Sequence, residues 1–444
     1  SYIVAYSYVG LLGNGGTLIR LFNTIGLPIQ KIEMMNILGL IWVLSCSLYP
    51  YVYVAARVTF KSFPKSIRET TDLLGGSNKK YFFKVALPLA SPAIIGGLFL
   101  VFMEVLNDYG AAKYYGINTF TTGIFRTWTA LEDLQSSIYL AALLVILVFL
   151  ILSLNNWLRR KKSYQIKLNQ EHDDQFKRST LKGKKGIVYG SILGVPLLFG
   201  FLLPISQLIY WCYLTFHNMF NIELLTITLQ SFGVAFIAAF FIIVVAIALI
   251  NFSKWNLLKS LNIFKNIAII GYVIPGAIIG IGIIRSSQSV INFFADNFDL
   301  KIGFLFYASS VILIYAYIFR FVAVAYNPIA ANTLKLGKSI SESSYLSGIG
   351  KIKSLFKIEF PLLRNTILSA FILVFIDILK ELPLTLILKP YNLQTLAAKA
   401  YEYADDERVA EASLPALILV LVIIFLMLIL NYWDKKKIKR IDHG

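Results

Sequence analysis

Two segments that lie 273 residues apart share one sparse pattern, and this repeat constrains the fold more than any other feature of the chain. In each segment a glutamate is followed by a glycine and then by a proline, always at the same spacing. The pattern comprises Glu69, Gly75 and Pro88 in the first copy and Glu342, Gly348 and Pro361 in the second. Each copy lies between long apolar stretches. A polar loop repeated between apolar stretches is typical of a surface that another protein binds, and it does not resemble a catalytic site.

The composition indicates a polytopic membrane protein. Hydrophobic residues make up 57% of the chain and the mean hydropathy is +0.69, whereas soluble domains average about 45–50% apolar residues. The net charge of +18 comes from Lys and Arg in short loops between apolar stretches, which is the pattern of cytoplasmic membrane loops. We therefore expect contact with membrane lipid and no binding of nucleic acid.

Cysteine and histidine usage gives no sign of a metal site. Cys46 and Cys212 fall in or beside apolar segments, and the histidines His172, His217 and His443 are scattered. No disulfide framework, metal-ligand spacing or nucleophile–base pairing is present. The sequence thus predicts no catalytic residues, no metal ligands and no enzymatic activity of this chain.

Apolar segments of about 20 residues, long enough to cross a bilayer, occur nine times. The predicted spans are 35–57, 90–109, 137–157, 187–212, 226–252, 265–285, 303–325, 363–382 and 413–433. Residues 1–12 are predicted to be the stub of a further span. The fold class is therefore an all-α polytopic membrane protein.

Lysine and arginine counts predict the orientation. The basic linker at 158–186 and the basic tail at 434–444 are expected in the cytoplasm. Counting spans from them places the loops at 58–89 and 326–362 on the same side, with residues 110–136 and 383–412 facing outward.

The 273-residue offset extends beyond the loops and indicates a direct duplication. Phe102, Glu104 and Asp108 correspond to Phe375, Asp377 and Glu381. Because a unit of six spans is even, both copies keep one orientation and form a parallel repeat. The predicted division is a first repeat at 1–157, a linker at 158–186, a second repeat at 187–433 and a tail at 434–444. The offset pairs Ser1 with residue 274, which predicts that the first repeat is truncated at its N-terminus by about 90 residues, at about 20 per span plus loops.

Each repeated loop is predicted to form two short helices joined at its glycine. Ser77 is a suitable N-cap for the second helix of the first copy. Gly75 and Gly348 would supply a backbone conformation or a close approach that a Cβ blocks. Pro88 and Pro361 are expected to start the next membrane helix, where a missing N–H costs little.

With these residues in place, the chain resembles the permeases of binding-protein-dependent ABC importers, whose signature loop has Glu, Gly and a Leu-Pro pair at this spacing. It also resembles the fused double permeases for ferric iron. The stretches that carry this closer similarity are 48–53, 119–124 with Trp128, 380–388 and 406–412. Departures from the pattern are Thr70-Thr71 and Ser343-Ser344 in place of Ala, Val85 for Ile, and Phe360 for Leu.

The resemblance implies that each loop docks on a cytoplasmic ATPase, which would be a dimer facing the two loops. The residues it implicates in this coupling are Glu69, Gly75, Leu87, Pro88, Glu342, Gly348, Phe360 and Pro361. The chain has no phosphate-binding loop of its own, since Asn332 stands where the motif ending in Gly337-Lys338-Ser339 needs its first glycine. We therefore expect no cofactor in this chain, ATP bound by the partner, and an extracytoplasmic binding protein that delivers substrate to this bacterial inner-membrane protein.

Four acidic residues near the ends of two spans are candidates for the translocation pathway. Glu104 and Asp108 are four residues apart, as are Asp377 and Glu381, which predicts that each pair shares a helix face. A charge inside a bilayer is costly and points to function, and carboxylates suit a ferric ion. The pathway is expected between the two halves, near 90–109 and 363–382. The alternative is that these are interfacial acids paired with a cation such as Lys380.

Other functions remain open from the sequence alone. Within the importer class, thiamine, polyamine and sulfate are alternative substrates. A secondary transporter also uses repeated bundles, although it does not need two matching loops. The acidic residues Glu402, Asp405, Asp406 and Glu407 form either a docking patch for a binding protein or a solvated loop.

Overall fold

The structure is a computed structural model. It describes residues 1–27, 30, 32–160, 183–254, 271–299, 303, 310–337, 340, 343–344, 346–347 and 349–441. All regular secondary structure in these residues is helical. Glu342, Gly348 and most of the predicted linker lie outside the described residues.

The helices follow one another along the chain without intervening strands in the described part. Those of the first half are α1 (Tyr2–Leu12), α2 (Thr17–Thr24), α3 (Ile37–Lys61), α4 (Lys65–Leu73), α5 (Asn78–Lys80), α6 (Leu87–Asn107), α7 (Gly110–Tyr114), α8 (Phe120–Phe125) and α9 (Leu134–Arg160). Those of the second half are α10 (Gly183–Leu197), α11 (Leu203–Met219), α12 (Ile222–Lys254), α13 (Gly276–Phe298), α14 (Val311–Leu336), α15 (Lys351–Ser354), α16 (Phe360–Leu379), α17 (Pro383–Leu388), α18 (Leu396–Asp405) and α19 (Ser413–Ile441). π-Helical turns occupy Tyr81–Ala86, Arg126–Ala130, Leu198–Leu202 and Leu355–Glu359.

Nine helices in the described part of the chain are long and apolar enough to cross a membrane, which confirms the polytopic all-α class. Two predicted spans lie partly outside the described residues. In the span expected at 265–285 the described helix begins at Gly276, directly after Pro275. The span expected at 303–325 is helical from Val311 to Leu336.

The same 273-residue offset relates helices of the two halves. It pairs α3 with α14, the α5–α6 segment with the α15–α16 segment, and α7 with α17. It also pairs α1 and α2 with the first and second parts of the single helix α13. The segment that is one helix in the second half is therefore two helices in the first half. The break between α1 and α2 is Gly13–Gly16, where a Cβ on Gly16 would lie 2.3 Å from the Leu11 carbonyl oxygen.

A π-helical turn precedes three membrane prolines at the same distance. Pro88, Pro204 and Pro361 are each the second residue after such a turn. A proline inside an α-helix clashes with the carbonyl four residues earlier, and the wider π-turn relieves this clash. Pro88 and Pro361 lie at the second residue of α6 and α16, which confirms their predicted place at the start of these helices, and the π-turns extend both helices further back along the chain. The continuous spans are Asn78–Asn107 and Lys351–Leu379.

The chain divides into two compact units, Ser1–Arg126 with Tyr139–Gln207 and Thr127–Ile138 with Leu208–Gly444. The first unit thus includes the beginning of the predicted second repeat, because the segment around Phe199 packs on the first half. A Cβ on Gly200 would lie 2.4 Å from the Cys46 carbonyl oxygen. Tyr8 Oη donates a hydrogen bond to the Phe199 carbonyl at 2.6 Å. Pro204, five residues later in the π-helical spacing, has no N–H that could donate to this carbonyl. The predicted repeats are defined by the duplicated sequence, whereas these two units are defined by packing. The predicted repeat boundaries therefore stay a prediction.

The second unit has its core where α12, α14 and α16 meet. Small residues line this contact, among them Ala239, Ala316 and Ala370, which are fully buried. Small side chains let membrane helices approach closely and gain van der Waals contact. This packing fixes the helices that carry the second repeated loop.

Candidate functional site

The first repeated loop turns at Gly75, between α4 and α5. Gly75 has φ +68°, a left-handed conformation that an L side chain rarely adopts. A Cβ there would meet nothing within 4 Å, so the glycine is needed for its backbone conformation and not for a close approach. Ser77 caps α5 by accepting a hydrogen bond from the Lys80 N–H, which confirms its predicted role.

Arg68 ties the two arms of this loop together. Its Nε lies 3.0 Å from Asp72 Oδ2 within α4, and another guanidinium nitrogen donates to Asn78 Oδ1 in α5. The guanidinium also lies over the Tyr81 ring, 4.8 Å from its centroid. Sequence analysis missed this residue, although its place directly before Glu69 was a signal.

An apolar cluster anchors the base of the first loop. Phe63, Ala86 and Ala90 are buried there, with Phe60 and Tyr81 packed against them. The loop is therefore attached to the membrane helices at its base while its turn stays exposed.

The described part of the second loop has a different internal contact. The buried hydroxyls of Ser344 and Ser354 are 2.6 Å apart and hydrogen-bonded. This contact joins the segment before the turn to α15. The two loops are thus closed by different side chains although they share one pattern.

Large apolar side chains at equivalent positions of the two loops are not covered by the rest of the chain. Leu73 is 88% exposed and its counterpart Leu346 is 89% exposed. Phe83 and its counterpart Phe356 are each 64% exposed. Exposed apolar groups rimmed by charged residues mark a surface for a protein partner. The two leucines were not singled out from sequence, although the same 273-residue offset relates them.

The other predicted coupling residues lie around this surface. Glu69 is exposed on α4, Leu87 is half-buried and Pro88 is exposed. Phe360 and Pro361 are exposed at the equivalent place in the second loop. Of the described coupling residues, Leu87 is the one that the chain partly covers.

The acids of the first half occupy different environments. Glu104 is half-buried within α6, and Tyr51 Oη donates a hydrogen bond to its Oε1 at 3.1 Å. Asp108 is buried and lies past the end of α6 in an extended conformation. Its Oδ1 accepts hydrogen bonds from the N–H groups of Ala111 and Ala112 at 2.9 and 3.3 Å, and its Oδ2 accepts one from the Ser1 hydroxyl.

The acids of the second half follow the same division. Asp377 lies within α16 and pairs with Lys380 at 2.8 Å. Glu381 lies past the helix and accepts from the Leu384 N–H at 3.2 Å, the position equivalent to Ala111. The prediction of a shared helix face is therefore wrong for both pairs, because Asp108 and Glu381 leave the helix to cap the short helix that follows.

Glu381 also has a buried cationic partner. Arg320 Nε lies 3.3 Å from Glu381 Oε2, in an orientation that forms an ion pair and not a linear hydrogen bond. Arg320 Nη1 donates to the Ile274 carbonyl at 3.3 Å. A Cβ on Gly276 would lie within 2.7 Å of both charged groups, so the glycine lets the pair sit at the start of α13. The positive end of that helix dipole favours the carboxylate.

No group of three or more His, Cys, Asp or Glu residues in the described ranges is arranged to hold a metal ion. The carboxylates are instead engaged with N–H groups, hydroxyls and cations. Their chemistry in this arrangement is capping and ion pairing.

Replacing Gly75 with alanine should loosen the first loop. A non-glycine residue in the left-handed region costs about 1–2 kcal/mol. Local opening of the loop should therefore become about five- to thirtyfold more frequent. Amide hydrogen exchange over residues 65–80 measures this. Gly75→Asn is the matched control, because asparagine tolerates that conformation. Equal exchange in the alanine, asparagine and unmodified chains would contradict the conformational role.

Comparison with known proteins defines the class. Residues 17–164 and 258–440 match the family described as "Binding-protein-dependent transport system inner membrane component". The chain belongs to this family. It is the permease subunit of an ABC importer and a multi-pass protein of the inner membrane, and its two matched regions are tandem permease repeats.

Three relatives are transport permeases. An Fe(3+)-transport system permease protein of Haemophilus influenzae, FbpB 2, is 24% identical over 86% of this chain and 74% of its own length. NifC of Clostridium pasteurianum, described as a probable transport system permease, is 25% identical over 48% of this chain and 75% of its own length. The molybdenum transport system permease ModB of Haemophilus influenzae is 29% identical over 28% of this chain and 55% of its own length. Proteins of this family work with an ATPase and a substrate-binding protein.

Proposed function

We propose that this permease imports ferric iron and that its two repeated loops dock on a separate cytoplasmic ATPase. Hydrolysis of ATP by that partner, acting as a dimer, moves the loops and thereby the membrane helices. An extracytoplasmic binding protein delivers the substrate. The basic linker and tail then lie in the cytoplasm with the loops, in accord with their Lys and Arg content.

The observation that carries the coupling proposal is the matched exposure of Leu73 with Leu346 and of Phe83 with Phe356. Both copies of the duplicated loop carry the same two apolar side chains, and in both copies the rest of the chain leaves them uncovered. Two equivalent apolar surfaces fit a partner that presents two equivalent grooves. Glu69, exposed beside the first surface, supplies a charge for basic residues of that partner.

Ferric iron is favoured over other substrates by the extent of similarity. The relative named for Fe(3+) transport aligns with 86% of the chain, whereas the relative named for molybdenum aligns with 28%. Thiamine, polyamine and sulfate remain the alternatives within the class. Glu104 and Asp377, which lie within membrane helices, are our candidates for pathway acids. Their hard oxygen donors suit a ferric ion.

The test reconstitutes the full chain with its ATPase and binding protein in lipid vesicles and measures uptake of radiolabelled ferric iron, molybdate, sulfate, thiamine and a polyamine. We expect ATP-dependent uptake of iron alone. The Glu104→Gln and Asp377→Asn double variant should take up iron more slowly while ATPase co-purification stays unchanged. Uptake of another substrate would overturn the iron assignment, and unchanged iron uptake by the double variant would remove these acids from the pathway.

A further inference from the structure

Glu359 is a buried carboxylate at the base of the second loop, directly before Phe360 and Pro361. Its exposed fraction is 5%, and its Oε1 lies 2.6 Å from Lys254 Nζ. Lys254 is the last residue of α12, where a cation interacts favourably with the helix dipole. This ion pair therefore joins the end of a core helix to the base of the loop.

The first loop has no such pair at the equivalent position. The residue of the first loop that corresponds to Glu359 is Ala86, which is 2% exposed and belongs to the apolar cluster at the base of that loop. Burying two charges costs desolvation free energy that their attraction often fails to recover. Because an apolar residue fills this position well in the first copy, stability alone does not account for the charged pair in the second.

A mostly apolar cleft with two further polar side chains lies beside the pair. Asn251 lies one turn before Lys254 on α12, is buried, and its Oδ1 has no hydrogen-bond partner among the described residues. Asn251 and Thr333 line one cleft together with Glu359. The carboxylate thus sits where a small shift of the loop would change its contacts with α12.

We propose that Glu359 and Lys254 form the link through which movement of the second loop is passed to α12, which makes Glu359 a positioning residue for coupling. The proposal rests on the proposed function of the loop as an ATPase docking site. An apolar contact can slide, whereas an ion pair of 2.6 Å moves both partners together. α12 has 33 residues and is about 50 Å long, so motion at Lys254 reaches across the membrane.

The test uses the full chain assembled with its ATPase and binding protein in lipid vesicles. For Glu359→Ala, which restores the first-copy residue, we expect normal ATPase co-purification. Stimulation of ATP hydrolysis by the loaded binding protein should fall about two- to thirtyfold, the range for residues that carry coupling. Lys254→Ala should do the same, and Lys254→Arg, which keeps the charge, should retain stimulation. Lys399→Ala is the control, because it breaks the partly exposed pair with Glu223 at the opposite end of α12.

Glu359→Gln and the Lys254→Ala/Glu359→Ala double variant guard against misfolding of a single variant. The double variant removes both charges, whereas Glu359→Gln keeps the side-chain shape and a neutral oxygen acceptor for Lys254 while removing the negative charge. Both should lose stimulation. Full stimulation in these variants would overturn the link. Loss of ATPase co-purification in parallel with stimulation would show a merely structural role and would also overturn it. If the unmodified chain fails to bind the ATPase, the proposed function fails first and the inference falls with it.

Discussion

Replacing both Leu73 and Leu346 with glutamate should prevent the permease from binding its ATPase. These side chains are almost fully exposed in the chain alone, so the substitutions do not disturb its core. Apolar anchors at the centre of an interface contribute about 2 kcal/mol or more each, and a charge in their groove adds a desolvation cost. Under the proposed docking the two loops are linked binding sites, so losing both should weaken binding by more than either loss alone.

The measurement is co-purification of the ATPase with tagged permease, followed by ATP-dependent uptake. Leu131→Glu is the matched control, since Leu131 is also an exposed leucine and lies outside both loops. We expect the single variants to retain partial binding, the double variant to lose it, and the control to behave as the unmodified chain. Normal co-purification by the double variant would refute docking through these surfaces.

The local features of the first loop were predictable because they depend on short-range chemistry. A glycine between two polar helices indicated either a special backbone conformation or a close approach, and a serine before a lysine-rich turn indicated a cap. Both appear at Gly75 and Ser77. The π-helical turn at Tyr81–Ala86, directly before the helix of Pro88, was not predictable in this way, because it leaves no simple sequence signal.

The acids show where periodicity fails. A spacing of four residues predicts a shared face only while the helix continues. Helix α6 ends at Asn107 and α16 at Leu379, so Asp108 and Glu381 become caps for the helices that follow. Their partners, the Ala111 and Leu384 N–H groups, are equivalent in the two copies. The duplication was therefore visible in the sequence, but the chain reversal that gives these acids their role was not.

Long-range partners were the least predictable part of the site. Arg320 lies 61 residues before Glu381, and Lys254 lies 105 residues before Glu359. Neither has an opposite charge at helical spacing that would reveal the pairing. Only the packing of α12, α13, α14 and α16 brings these charges together.

Removing Arg320 alone should destabilise the second unit strongly. Arg320→Met leaves the Glu381 carboxylate buried without its cation, and breaking a buried pair from one side costs about 3–5 kcal/mol. The Arg320→Met/Glu381→Leu double variant removes both charges and should be markedly more stable than the single variant. Thermal unfolding in detergent, followed by loss of the monodisperse species on size exclusion, measures the order of the variants.

Lys380→Met provides the comparison for this experiment, because Lys380 is next to Glu381 in sequence and its pair with Asp377 is partly exposed. An exposed pair contributes about 0–1 kcal/mol, so its unfolding midpoint should stay close to that of the unmodified chain. The expected order of stability places the Arg320→Met variant last. If the single and double Arg320 variants unfolded together, the cost would come from lost arginine packing and not from the unpaired carboxylate. That result would leave Glu381 stable as a cap of α17 without its cation.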